Sequence, residues 1–227
     1  MHDRLLDLMA LGADFLGRGD RIATLPPGKV LQALLDMAEQ LLSLDLGLEA
    51  LYRDMVSDSQ DLLYWSTLSS IDVSESSEVD NPGQREFCCP IQFKDHETSR
   101  LLTLYWAQQC LLRLGRLEIH NALAGMAAAG MVGGQAERVN EVLSRPPGWF
   151  IDSARLVLRS YEYCNQSQTT LLRYSVPLNI SLDVMSNKPE TCEEELLFAR
   201  RVKQQISTRF LRITGYTKTL PHPADRG

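Results

Sequence analysis

The sequence predicts an all-α protein, an irregular bundle of roughly six to eight helices. Three observations predict it. Leucine recurs at i, i+3 and i+4 spacing along almost the whole chain, and apolar–polar alternation of the strand type is scarce. Two double prolines, in "LPPG" at 25–28 and "RPPG" at 145–148, cut the chain into stretches of helical length. At 227 residues, with 44% hydrophobic and 23% charged side chains, the chain is long enough to bury a sizeable core as one helical domain spanning 1–227.

A first helix is expected over 3–17, with Leu5, Leu8, Met9 and Leu16 as its stripe and Gly17 and Gly19 as its stop. A second runs from about Lys29 to Met55 on Leu31, Leu34, Leu35, Ala38, Leu41, Leu42, Leu48, Leu51, Tyr52 and Met55. Leu34, Leu41, Leu48 and Met55 lie seven apart, the spacing of a leucine zipper. Leu42, Leu44, Leu46 and Leu51 make the apolar face wider than a zipper seam, Gly47 interrupts it, and Asp45 sits in the facing row, so the helix is expected inside its own domain. Residues 72–86, "DVSESSEVDNPGQRE", have almost nothing to bury and read as a solvated acidic, serine-rich loop.

The stretch "LLTLYWAQQCLLRL" runs from Leu101 to Arg113 before meeting a charge, within a helix expected over 94–117. Apolar groups cover most of its circumference, which places it at the centre of a bundle. It is too short for a membrane span, which needs roughly 20 apolar residues. The small-residue stretch 121–139 fits either a close-packed helix followed by a loop, or a loop alone. After the break at 145–150 come a helix over 150–166 and a shorter apolar segment over 171–185. A last helix follows over 192–213, capped by Thr191, acidic at its start and basic toward its end. Residues 217–227 read as a flexible tail.

The formal charge of −6 argues against a surface built mainly to hold nucleic acid. Residues 1–100 carry 8 basic and 18 acidic side chains, and residues 101–227 carry 15 and 11. The basic run Arg200–Arg212 reads as an ordinary solvated face, because Val202, Ile206 and Phe210 interleave it. The five cysteines, at 88, 89, 110, 164 and 192, form no C-x-x-C and no even framework, which suits a reducing, intracellular compartment. With His2, His96, His120 and His222 scattered, no structural metal is expected. No phosphate-loop, dinucleotide, hydrolase or kinase signature occurs, and His120 with Cys110 and Cys164 sits in apolar context rather than in a catalytic arrangement. The expectation is a non-enzymatic protein without a cofactor.

The order of four segments carries a family likeness: "DLLYWSTLSSID", "FKDHETSRLLTLYWAQQCLLRLGRL", "DSARLVLRSYEYC" and "YSVPLNISLDVM". Together they resemble the C-terminal regulatory region of fungal zinc-cluster transcription factors. There a Leu-Tyr-Trp-Ala helix precedes a helix ending in Tyr-Cys, followed by an apolar-Pro-Leu unit, here Val176-Pro177-Leu178. The resemblance covers about Pro26 to Tyr216. The six-cysteine element with which that family reads DNA is not in this sequence. What the resemblance implies is a helical, protein-interacting regulatory region of a nuclear protein, with no specific DNA binding by this chain alone. Its partners would be proteins, a full-length relative or a second copy among them. The alternative is a helical domain holding a small apolar effector among Tyr105, Trp106, Cys110 and Tyr161.

Overall fold

The structure, a computed structural model, describes residues 2–22, 24–59, 61–67, 89–148, 150–186 and 193–218. Eight helices and one two-stranded antiparallel sheet lie within them. In chain order they are α1 (His2–Ile22), α2 (Pro27–Asp58), β1 (Tyr64–Ser66), β2 (Ile91–Phe93), α3 (His96–Ala128), α4 (Ala136–Leu143), α5 (Ile151–Arg159), α6 (Tyr161–Cys164), α7 (Gln168–Ser186) and α8 (Glu193–Lys218). The fold is all-α. The acidic segment 72–86, the Thr191 cap and residues 219–227 lie outside the described residues.

Several boundaries differ from expectation, each for a local reason. Helix α1 continues through Gly17 and Gly19, where a methyl group would meet open space. Each glycine costs it only about 1 kcal/mol of propensity, less than burying Leu5 and Phe15 returns. At the other end of the chain α8 extends through Lys218, two residues into the expected tail. The expected helix over 150–166 is two helices, because the Ser160 N–H turns to Val157 O, a tight i→i−3 bond, and its hydroxyl donates to Leu156 O. The apolar segment over 171–185 lies within the full helix α7, which carries Pro177 inside. Proline has no N–H for the carbonyl four residues back, that of Arg173, so the α7 ladder is interrupted there.

Helix α3 is longer than expected and is the axis of the bundle. Its start is set by Asp95, whose carboxylate accepts the Thr98 N–H at 2.7 Å. That bond holds the Asp95 carboxyl below the usual range. The small-residue stretch continues the helix to Ala128, where Gly130 closes it in the left-handed conformation at φ 69°. Met131 N–H bonds to Met126 O and Gly130 N–H to Ala127 O, the paired bonds of a Schellman end. In between, α3 touches α1, α2, α4, α5, α7 and β2. Leu102, Tyr105, Trp106, Ala107, Cys110 and Leu112 are all buried, on every side of the helix. The stretch Leu101–Leu114 is the middle of a packed core.

Side chains from all eight helices and β2 join one buried cluster. The zipper-spaced Leu34, Leu41, Leu48 and Met55 are buried in it, as a helix inside its own domain requires. The sheet was not expected from the sequence. Tyr64 pairs with Phe93 and Ser66 with Ile91 in a ladder too short to show alternation. Arg159 of α5 fastens the two strands, donating to Cys89 O at 2.8 Å and to Ser66 Oγ at 2.7 Å.

Candidate functional site

The four residues named for an apolar effector are buried, and protein groups fill the space around each. Trp106 meets Tyr64 edge-on at 5.3 Å and Phe93 at 6.0 Å. Tyr105 stacks on Tyr52 at 5.2 Å and accepts from Gln109 Nε2, which shares its amide with the Ser153 hydroxyl. The Cys110 thiol donates to Phe150 O at 3.4 Å. Tyr161 donates to Gln205 Oε1 at 2.9 Å and lies against Tyr174. These partners come from six different elements, so the four side chains diverge rather than line one space. Burial pushes the Tyr105 hydroxyl and the Cys110 thiol each up to about 12, which keeps both protonated and the thiol unreactive. Cys164 is likewise raised to about 12 by burial.

The histidines do not gather either. His96 opens α3 beside Tyr163, and His120 Nε2 is 3.3 Å from Leu143 O. Among the described residues no three His, Cys, Asp or Glu side chains are placed to hold a metal ion. No helix among them is long and apolar enough to cross a membrane.

Three cavities lie at the margins of the bundle. A groove of about 360 Å³ runs between α1 and α2, lined by Phe15, Ile22, Leu25 and Met37 with Arg18 and Arg21. A second, about 140 Å³, has Leu42, Val142 and Pro147 for a floor and Arg116, Arg138 and Arg145 around it. The third, about 160 Å³, sits where the first turns of α3 and α7 meet, with His96, Arg100, Thr103, Ser167, Thr169 and Arg173 in its wall beside Cys164 and Tyr174. None of Tyr105, Trp106, Cys110 and Tyr161 lines any of these three.

Between α2 and α3 a charge cluster is sealed into the packing. Asp45 is 3% exposed and pairs with Arg116 and, at 3.6 Å, with Arg113 Nε. Arg113 also reaches Glu49 at 3.3 Å. This explains the acid in the facing row of the zipper-like helix: it meets two arginines one turn apart on α3. Nothing in the sequence around Asp45 names those partners, which lie more than sixty residues away.

The outer surface formed by α7 and α8 has a different character. Leu172 and Val176, one turn apart on α7, and Leu197 on α8 are about half exposed, at 57%, 52% and 50%. Arg173, Arg200, Arg201 and Lys203 are exposed on the same two helices. None of these four cations has an ion-pair partner among the described residues. Val202 and Ile206 face inward, as expected, while the side chains of Arg209, Phe210 and Arg212 lie outside the described residues. No family model, curated protein or solved structure matches the chain.

Proposed function

We propose that the chain is a non-enzymatic regulatory module that works by binding other proteins, in the manner of the regulatory region it resembles, and that its place of action is the nucleus. The observation that carries this reading is the division between core and surface. The aromatic residues of the core pack on one another, while α7 and α8 turn Leu172, Val176 and Leu197 outward beside cations with no ion-pair partner among the described residues. Apolar anchors ringed by charge are how protein interfaces are built. The matching partner surface is apolar and acidic, and the acidic first hundred residues of a second copy or a relative have that balance.

The test is a tethering experiment. The chain, fused to an unrelated DNA-binding domain, is placed at a reporter promoter and output is compared with that domain alone. The expected result is a change in output that Leu172→Ser/Val176→Ser/Leu197→Ser abolishes while the circular dichroism spectrum stays the same. No change with the unaltered chain, or a change that survives the triple substitution, overturns the assignment.

A further inference from the structure

All three marginal cavities carry arginines. In the groove between α1 and α2 Arg18 pairs with Asp14 at 2.5 Å and Asp36 shares the wall, and the other two differ in one respect that decides what each can hold. In the cavity floored by Leu42 and Val142, every arginine already faces a carboxylate: Arg116 with Asp45, Arg138 with Glu39 at 2.8 Å, Arg145 with Glu141 at 3.1 Å. An anion entering there would have to displace an internal pair. The cavity between the first turns of α3 and α7 is not balanced in this way. Arg100 pairs with Glu97 through one nitrogen at 2.5 Å, but its Nε is buried with no hydrogen-bond partner among the described residues. Arg173 has no carboxylate partner among them. Among the described residues the wall therefore holds two guanidiniums against the single carboxylate of Glu97, together with the Ser167 and Thr169 hydroxyls.

We propose that this cavity is a binding site for a small phosphate-type oxyanion, free or as a phosphomonoester. Size sets the class. A space of about 160 Å³ is well under the roughly 300–1,000 Å³ of sites for drug-sized ligands, yet it equals about five water volumes. It has room for a tetrahedral oxyanion with a few further atoms. The donors agree with that choice. Guanidinium groups from α3 and α7 and hydroxyls from the α6–α7 corner approach from different elements, which suits four tetrahedral oxygens better than the two coplanar ones of a carboxylate.

The site shares Arg173 with the exposed face of α7, but its test uses small anions alone and so does not depend on any protein partner. Inorganic phosphate, methyl phosphate and acetate are titrated into the full-length chain by calorimetry, each against potassium chloride at matched ionic strength. Saturable binding of phosphate or methyl phosphate, about tenfold weaker in Arg173→Gln for the loss of one charged hydrogen bond and unchanged in Arg201→Gln, is the expected result. The tighter of the two ligands tells a free anion from an ester. Arg173 is exposed, so its replacement leaves the fold intact, which thermal unfolding checks. No saturable binding up to about 20 mM, where stabilisation by linkage would already be measurable, overturns the proposal. So does acetate binding as tightly as phosphate, or an equal loss in Arg173→Gln and Arg201→Gln, which would mark diffuse attraction to the basic surface.

Discussion

Replacing Asp45 by alanine is expected to destabilise the protein by about 3 kcal/mol, at the low end of the cost of breaking a buried ion pair. The Asp45 side chain is 5% exposed, with Arg116 and Arg113 at 12% and 16%. At the 3.6 Å separation of the longer pair, an effective dielectric constant of about 20 gives an attraction of about 4–5 kcal/mol before desolvation is subtracted. Removing the carboxylate leaves both guanidiniums desolvated. Arg113 still has Glu49 at 3.3 Å, so Arg116 carries most of the loss, keeping only a long contact to Arg145 O. That asymmetry places the estimate at the low end. The companion variant separates attraction from desolvation. Asp45→Leu/Arg113→Met/Arg116→Met removes every buried charge of the cluster, leaving only the half-exposed Glu49, and should recover most of the loss, because apolar replacement of a buried cluster is often neutral or better. The assay is urea unfolding, comparing midpoints at constant slope. A loss below about 1 kcal/mol for Asp45→Ala, the range of surface pairs, would refute the view that this cluster is sealed between α2 and α3.

Four further outcomes follow. Trp106→Ala should cost about 3–5 kcal/mol, since the indole is 2% exposed against Tyr64 and Phe93, and a smaller loss on urea unfolding than about 1 kcal/mol would place it at the surface. Gly12→Ala should destabilise, because a methyl group there would lie 2.0 Å from buried Gln108 Nε2; Gly17→Ala on the same helix should stabilise by about 0.5–1 kcal/mol, and equal signs would refute the close approach of α1 to α3. Tyr52, Tyr105, Cys110 and Cys164 are each held near 12, chiefly by burial, above unfolded values of about 10 and 8.5; their stabilising effect is complete below about pH 8.5 and is lost as pH rises toward 12, so the urea midpoint should fall between about pH 9 and 11, and a flat profile contradicts the burial. In a selection experiment at about 150 mM salt the chain should enrich no DNA sequence, and a motif bound roughly a thousandfold above random DNA would reveal a reading surface.

Most helices were legible because they depend on local spacing, though α4 was not. Most of the buried face of α2 could be named, but Leu44 is buried outside the expected stripe and Leu31, Leu42 and Tyr52 within it are only partly buried. Helix ends were less legible, and α3 runs eleven residues past its expected end at Leu117. Gly130 closes α3 through its own left-handed backbone, but Gly17 and Gly19 face open space and stop nothing. Whether a glycine ends a helix depends on what the next turn can bury, and that is a tertiary fact. Pro177 shows the same rule from the other side. A residue that breaks isolated helices sits inside α7, whose flanking Tyr174, Leu178 and Leu182 are buried and whose burial offsets the missing hydrogen bond.

The charged groups were the least legible, for a reason that also bears on function. Arg100, Arg116, Arg173 and Arg201 are alike in sequence, each set among apolar neighbours on a helix. In the fold they separate by partner: Arg116 is matched to a buried acid, Arg100 is matched through one nitrogen and short of a partner at another, and Arg173 and Arg201 have no acid beside them among the described residues. A matched buried arginine holds two helices in register. Arg173 and Arg201, with no acid beside them among the described residues, hold no helices in register there, and the two proposals turn on what each would attract: a small anion in the cavity that Arg173 lines, or an acidic surface of another protein at Arg201.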